Sequence, residues 1–240
     1  MRVISYNLRK HAARGELEQL VAAHNPNLLC LQEVDTDDLP RELGALSLAD
    51  ATRLNRLGLA IFYNRERFEA LSTKAFALKR SLHDVIAKPA HERLLGSHLI
   101  DRVHDRELVI GCFHAAPLTA LNSLRRTQIR AAHVALDSFG PTLPTLMVGD
   151  FNYPIFKDHL STSVQETGHE VTLSDSRTYT RYKFFRGHFD FATSIGLDIT
   201  KVTTLPQGQS DHLPILVTAS YAAPASVTAA ALVGDDETPR

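Results

Sequence analysis

The stretch Thr145-Leu146-Met147-Val148-Gly149-Asp150-Phe151-Asn152 begins as an apolar run and ends in a carboxylate and an amide. A short apolar run bounded by turn residues reads as a buried strand. In extended chain, residues two apart share a face, so Asp150 and Asn152 can both face one small ligand. Gly149 permits a close approach or a bend. Alone, 149–152 would equally serve as an ordinary turn, which Asp and Asn form readily. What decides the fold is that the pattern recurs. Val3-Ile4-Ser5-Tyr6 ends at Asn7, Leu28-Leu29-Cys30-Leu31 at Gln32-Glu33, and the run 108–113 at His114. Phe189 precedes Asp190, and Ser210-Asp211-His212 opens the run 213–217. Strands of this kind lying side by side would gather their polar tips on one rim. Carboxylates, asparagines and two histidines without a thiol suit a hard divalent cation and phosphate ester chemistry.

Working outward, apolar spacing predicts strands over 2–7, 28–32, 59–63, 68–78, 93–100, 107–113, 145–148, 188–193, 199–204 and 213–219. A helix is expected from Leu17, Leu20, Val21 and His24, stopped by Asn25-Pro26-Asn27 because proline lacks the amide proton. A second, weaker helical piece is expected over 39–43. The longest helix should run over 119–139, with Leu121, Leu124, Ile129, Val134 and Leu136 as its apolar stripe and Gly140-Pro141 as its end. Alternating strands and helices with hairpins between them suggest two sheets covered by helices. No short-period repeat or low-complexity linker divides the chain, so one domain over 1–219 is expected, with 220–240 as a disordered C-terminal extension.

The chain has 240 residues and a formal net charge of −1. That balance argues against a general DNA coat, whose affinity rests on many cationic contacts to phosphate. It leaves room for an enzyme with a local basic rim. The two cysteines, Cys30 and Cys112, each lie inside an apolar run and read as small buried hydrophobes rather than a disulfide framework or zinc site. The chain opens directly into a strand with no signal-peptide pattern, and no segment is long and apolar enough to span a bilayer. A cytoplasmic monomer without membrane insertion is the expectation.

Taken singly, most of the polar tips would be ordinary. A lone acid such as Glu33 or Asp190 at a strand end is usually solvated, and a lone His114 is usually structural. Asp211 beside His212 could simply be a loop entering a strand. Their combination, in this order, resembles the endonuclease/exonuclease/phosphatase superfamily, in a compact bacterial form. The residues carrying the resemblance are Asn7 in Ser5-Tyr6-Asn7, Glu33 in Leu31-Gln32-Glu33-Val34, His114, Gly149-Asp150-Phe151-Asn152, Asp190, and Ser210-Asp211-His212-Leu213-Pro214.

The resemblance spans residues 1–219 and implies an α/β fold, a four-layer α/β/β/α sandwich of two mixed sheets flanked by helices. It implies divalent-metal-dependent cleavage of phosphoester bonds by in-line attack of water, with Mg²⁺ as the ion and Mn²⁺ as a substitute. Glu33 is then the principal metal ligand, with Asn7 beside it and Asp211 near. Asp150 orients or deprotonates the water, and Asn152 helps place it. His212 bonds the phosphate, Asp190 orients His212, and His114 touches another phosphate oxygen or assists the leaving group.

Asn7-Leu8-Arg9 and His114-Ala115-Ala116-Pro117 are similar to the deoxyribonuclease I branch, but apolar Leu57 or Gly58 stands where that branch carries the acid holding its first histidine. The abasic-site endonuclease branch fits less well, since its aromatic segment normally contains tryptophan and this chain has none. Residues 178–187 could grip a nucleotide by charge and stacking, or could cover a core edge. Arg9, Lys10, Arg125, Arg126 and Arg186 are candidates for a phosphate-attracting rim, and Arg93 is a weaker one. A phosphodiesterase acting on nucleic acid is the leading expectation. A lipid headgroup or small phosphoester is the alternative substrate, and a non-catalytic binding protein on the same fold is the alternative of another class.

Overall fold

The computed structural model describes residues 1–55, 57–81, 92–154, 157–181 and 187–223. Two mixed sheets stack face to face. The first has seven strands in the order β12-β13-β1-β2-β5-β4-β3, and the second has six in the order β10-β11-β9-β8-β7-β6. In chain order these are β1 (Arg2–Asn7), β2 (Leu28–Val34), β3 (Glu42–Leu43), β4 (Leu46–Ala51), β5 (Gly58–Asn64), β6 (Phe68–Ala77), β7 (Glu92–Asp101), β8 (Arg106–His114), β9 (Thr145–Asp150), β10 (Glu170–Leu173), β11 (Asp190–Ile195), β12 (Leu197–Thr204) and β13 (Ile215–Tyr221). Helix α1 (Leu17–His24) covers the outer face of the first sheet. Helices α2 (Asn122–Asp137) and α3 (Lys157–Gln165) cover the outer face of the second. This is the expected four-layer sandwich. Among the described residues no helix is long and apolar enough to cross a membrane.

Three apolar layers follow from strand alternation. Val3, Leu28, Cys30, Ile110, Cys112, Leu146, Val148 and Ala192 fill the space between the sheets. Ile4, Tyr6, Leu29 and Leu31 face α1, and Val109, Phe113, Met147 and Phe191 face α2 and α3. Because successive side chains alternate, continuing the inner set by two residues reaches His114 on β8 and Asp150 on β9, and by four residues from Val3 reaches Asn7 on β1. Asp190, two residues before Ala192, opens β11 on the same face. Pairing aligns these tips: His114 lies opposite Asp150 in the parallel β8–β9 pair, and Asp190 opposite Asp150 in the antiparallel β9–β11 pair. The apolar patterning that builds the core therefore also delivers the polar tips to one end of the inter-sheet space.

Gly149 makes this close approach sterically feasible. Its φ is +153°, and a Cβ there would stand 1.8 Å from the carbonyl oxygen of Phe113. Only a residue without a side chain lets β8 and β9 converge immediately before Asp150.

The sequence expectations need several corrections. Residues 39–43 do not form a helix. Glu42–Leu43 is a short strand paired with β4, itself unanticipated because Leu46–Ala51 lacks clear alternation. Pro40 disfavours helical backbone at the residue before it, and Leu39 is extended, with φ −94° and ψ 133°. Strand β10 (Glu170–Leu173) was also unanticipated, being a short edge strand. Strand β13 runs to Tyr221, two residues beyond the expected domain end, and residues 224–240 lie outside the described residues.

Candidate active site

Asp150 occupies the middle of the cluster. Its Oδ2 accepts from Asn7 Nδ2 at 3.0 Å and Asn152 Nδ2 at 3.1 Å, and its Oδ1 accepts from the Asn152 backbone N–H at 2.9 Å. Asn152 reaches back in this way because its backbone is left-handed, with φ at 48°. His114 Nε2 stands 3.6 Å from Asp150 Oδ2 and 3.9 Å from Glu33 Oε1. His212 Nε2 stands 3.7 Å from Asp150 Oδ2, while its Nδ1 bonds Asp190 Oδ2 at 2.8 Å. Five of the eight expected catalytic and metal-binding residues (Asn7, Asp150, Asn152, Asp190 and His212) thus form one continuous hydrogen-bonded or ion-paired group, and His114 and Glu33 adjoin it.

The carrier loops are fixed by named bonds. Ser210 Oγ donates to the Asn7 carbonyl at 2.7 Å and accepts the His212 N–H at 3.1 Å, joining the tip of β1 to the His212 loop. Thr178 Oγ1 accepts from the backbone N–H groups of Phe189 and Asp190. Tyr179 pairs with His212 as an isolated bridge, their ring centroids 4.9 Å apart. Thr178 and Tyr179 thus support the His212–Asp190 pair, a role sequence reasoning missed. They lie in a segment whose sequence allowed either a nucleotide grip or the cover of a core edge; these two take the second course, and nothing local shows that they bridge to 211–213. Buried Tyr179 is not available to stack on a base, and 182–186 lie outside the described residues.

The basic residues separate into three groups. Arg9 and Arg181 are half exposed at the mouth, and each stands 3.8 Å from Asp211 Oδ2. Arg126 is partly buried and donates to Tyr153 Oη at 2.9 Å, next to Asn152. Arg125 and Arg93 correct the expectation of a rim. Arg125 is 1% exposed and bonds the carbonyls of Ala116 and Pro117. Arg93 bonds those of His114 and Ala115. Both guanidiniums brace the loop after β8 from inside. Lys10 contributes its backbone N–H to Glu33 Oε2 at 2.8 Å. Arg186 lies outside the described residues.

Electrostatics assign different protonation states to the three central groups. Burial raises the Asp150 carboxyl to about 7; the His212 charge opposes this, and the neighbouring Asp190 and Glu33 add to it. Burial alone would push the His212 imidazole down, but Asp190 and Asp150 outweigh it and raise it to about 10. Burial lowers His114 to about 4, against the pull of Glu33 and with the push of Arg93. His212 is therefore a cation near neutral pH, and His114 is neutral.

Among the described residues, potential ligand atoms of Asp150, Asp190 and His212 lie within 4.8 Å of one another. An imidazolium that donates to Asp190 has no lone pair for a metal, so in that state His212 is not a ligand. The oxygens of Glu33, Asn7 and Asp150 form a hard donor set that fits a divalent cation. One observation supports the fit: burial is the largest cause of the raised Asp150 carboxyl, but Asp190 and Glu33 add to it, an excess of negative charge that a cation relieves. Asp211 Oδ2 also faces the two guanidiniums of Arg9 and Arg181 at the mouth.

Comparison with known proteins agrees with this geometry. Residues 4–212 match the model of the Endonuclease/Exonuclease/phosphatase family. Bovine (Bos taurus) 2',5'-phosphodiesterase 12 is 27% identical over 179 residues, covering 61% of this chain and 29% of that protein. The chain thus spans under a third of that relative's length. Among solved structures, an endonuclease/exonuclease/phosphatase from Bacteroides vulgatus superposes with a TM-score of 0.74 at 15% identity, over 92% of this chain and 98% of that one. A mannosyl-6-phosphatase from Bacteroides thetaiotaomicron gives a TM-score of 0.71 at 18% identity, over 92% and 100%.

Proposed function

This chain belongs to the endonuclease/exonuclease/phosphatase family, and from that premise we propose that it is a divalent-metal-dependent phosphodiesterase acting on nucleic acid. The observation that carries the chemistry is the meeting of a carboxyl and an imidazole in one pocket. Asp150, held by Asn7 and Asn152, lies 3.7 Å from Nε2 of His212, whose other nitrogen is bonded to Asp190. Such a pair supplies a base and an electrostatic stabiliser side by side.

Asp150, oriented by Asn7 and Asn152, takes the proton of the attacking water. Asn152 helps hold that water. His212, fixed by Asp190, offers its Nε2 proton to a phosphoryl oxygen and opposes the charge that grows there. His114, neutral, contacts a second oxygen. Mg²⁺, with Mn²⁺ as substitute, would be held by Glu33 and Asn7 with Asp150 adjoining, and supplies Lewis-acid polarisation of the phosphoryl group when bound. Among the described residues, Arg9, Arg181 and Arg126 are cations that flanking phosphates can engage.

A nucleic acid substrate is favoured by the two half-exposed guanidiniums at the mouth, which a polyanion can engage beyond the scissile group. The small-phosphoester reading rests on the near-neutral net charge and the likeness to a sugar phosphatase. A panel of plasmid DNA, single-stranded DNA, RNA and small phosphate monoesters separates the two. EDTA-sensitive cleavage of nucleic acid, restored by excess Mg²⁺, is expected. Turnover of monoesters alone would transfer the assignment to the second reading, and turnover undiminished by EDTA would remove the metal.

A further inference from the structure

Three consecutive non-glycine residues, Arg9, Lys10 and His11, have left-handed backbones, with φ of 47°, 55° and 68°. Such conformations are strained for L-residues and persist only where surrounding contacts over-determine them. Here their amides form a small concavity directed at the site. Arg9 N–H bonds Asn7 Oδ1 at 2.9 Å, Lys10 N–H bonds Glu33 Oε2 at 2.8 Å, and His11 N–H bonds the Glu33 carbonyl at 2.8 Å. Glu33 is itself left-handed, with φ at 54°, at an irregularity in the β2–β5 pairing. One of its carboxylate oxygens is thus tied to the turn while the other, Oε1, is the one nearest His114.

Two side chains of the turn tie it to the segment after Glu33: Arg14, whose Nε bonds the Asp38 carbonyl at 3.1 Å and stands 3.0 Å from its Oδ2, and His11, which alone of the two reaches Asp35. His11 Nδ1 receives the backbone N–H of Asp35 at 3.1 Å, and an amide can only donate, so Nδ1 is the acceptor and Nε2 carries the proton. Nε2 then donates to Asp38 Oδ2 at 3.1 Å. The ring therefore bolts the turn to the chain immediately beyond Glu33, on both sides of Thr36.

We propose that His11 is a positioning residue: by bonding Asp35 and Asp38 it maintains the left-handed turn whose amides aim the oxygens of Asn7 and Glu33 at the cation. This rests on the preceding reading of Glu33 as a metal ligand. The imidazole itself reaches no substrate. Outer partners of this kind set ligand orientation and commonly govern metal affinity about tenfold or more.

The test is calorimetric titration of the full chain with Mg²⁺ and with Mn²⁺, beside activity as a function of metal concentration. His11→Ala should weaken metal binding about tenfold and raise the metal needed for half-maximal rate in parallel, with little change in rate at saturating metal. His11→Asn, which keeps an acceptor for Asp35 and tolerates the left-handed backbone, should recover most of the affinity. His11→Gln, which displaces that acceptor, takes the place of the alanine variant if the latter does not fold. Asp101→Asn, remote and destabilising, should leave metal affinity unchanged. Weakening in Glu33→Gln without weakening in His11→Ala overturns the inference and leaves the site reading intact. Equal weakening in His11→Ala and His11→Asn also overturns it, since loss of the loop rather than of the acceptor would then be the cause. No weakening in Glu33→Gln would remove the site reading on which it stands.

Discussion

Burial opposes ionisation of Asp150, the His212 cation favours it, and Asp190 and Glu33 oppose it again. No one of these residues has its chemistry alone. His212 is held cationic by the same two aspartates that its charge stabilises. Asp150→Ala should slow turnover at saturating metal by ~10²-fold or more, the scale for losing acid–base help. His212→Ala should do the same through lost electrostatic stabilisation. Because the two act as a unit, the double variant should lose far less than the product of the single losses. Single-turnover rates of the four proteins would measure this, and multiplicative losses would mean that the residues act independently.

At the scale of elements, the site is a consequence of strand period. Asn7, His114, Asp150 and Asp190 could be placed from sequence because each ends or opens a short apolar run. The four-layer arrangement followed from those runs and from the family resemblance they carried. What could not be read was set by contacts between distant segments. Thr178 and Tyr179 reach the His212 loop through pairing with 211–213. Arg125 and Arg93 look like surface cations until the loop after β8 folds over them. The left-handed turn at residues 9–11 has no glycine to announce it.

One element-level feature lies outside the site altogether. His133 of α2 stacks on His169, before β10, with ring centroids 3.7 Å apart. Its two nitrogens bond Thr167 and Thr193, tying α2 to the turn after α3 and to β11. Burial and the neighbouring His169 hold His133 well below its ordinary value, so the fold accepts it only neutral. The unfolded chain takes up its proton near pH 6.5. This contribution is therefore present above that pH and is lost as pH falls below it. In His133→Gln, which does not titrate, the stability deficit relative to the parent should shrink between pH 7.5 and 5. Thermal unfolding of both proteins across that range measures it, and a constant gap would show that another group titrates.

On the scale of the whole molecule, chemistry and cohesion occupy opposite ends of the sandwich. Strand β1 runs from the distal end to Asn7, and β7 runs from the active-site end to Asp101. Asp101 is fully buried and receives Arg67 through two nitrogens, at 2.8 and 3.3 Å, from the connection that carries the chain from the first sheet to the second. His104 at 2.9 Å and the Tyr221 hydroxyl at 3.3 Å complete the set, the latter from β13 of the first sheet. Burial alone would raise the Asp101 carboxyl, but the bonds from Arg67 and His104 outweigh it and hold it below the usual range. A carboxyl lowered in this way stabilises the fold above its unfolded value, and the contribution disappears as pH falls through its folded value. Asp101→Asn leaves the partly buried Arg67 without its counter-charge and should cost about 3 kcal/mol at neutral pH. For a domain of this size that is a fall of roughly 6–12 °C in Tm. The deficit should diminish in acid, where the parent loses the same interaction. Rate constants at saturating metal should remain within about twofold of the parent, since distant sites without shared partners act nearly additively. A large fall in turnover without a fall in Tm would show instead that the distal clamp is coupled to the catalytic end.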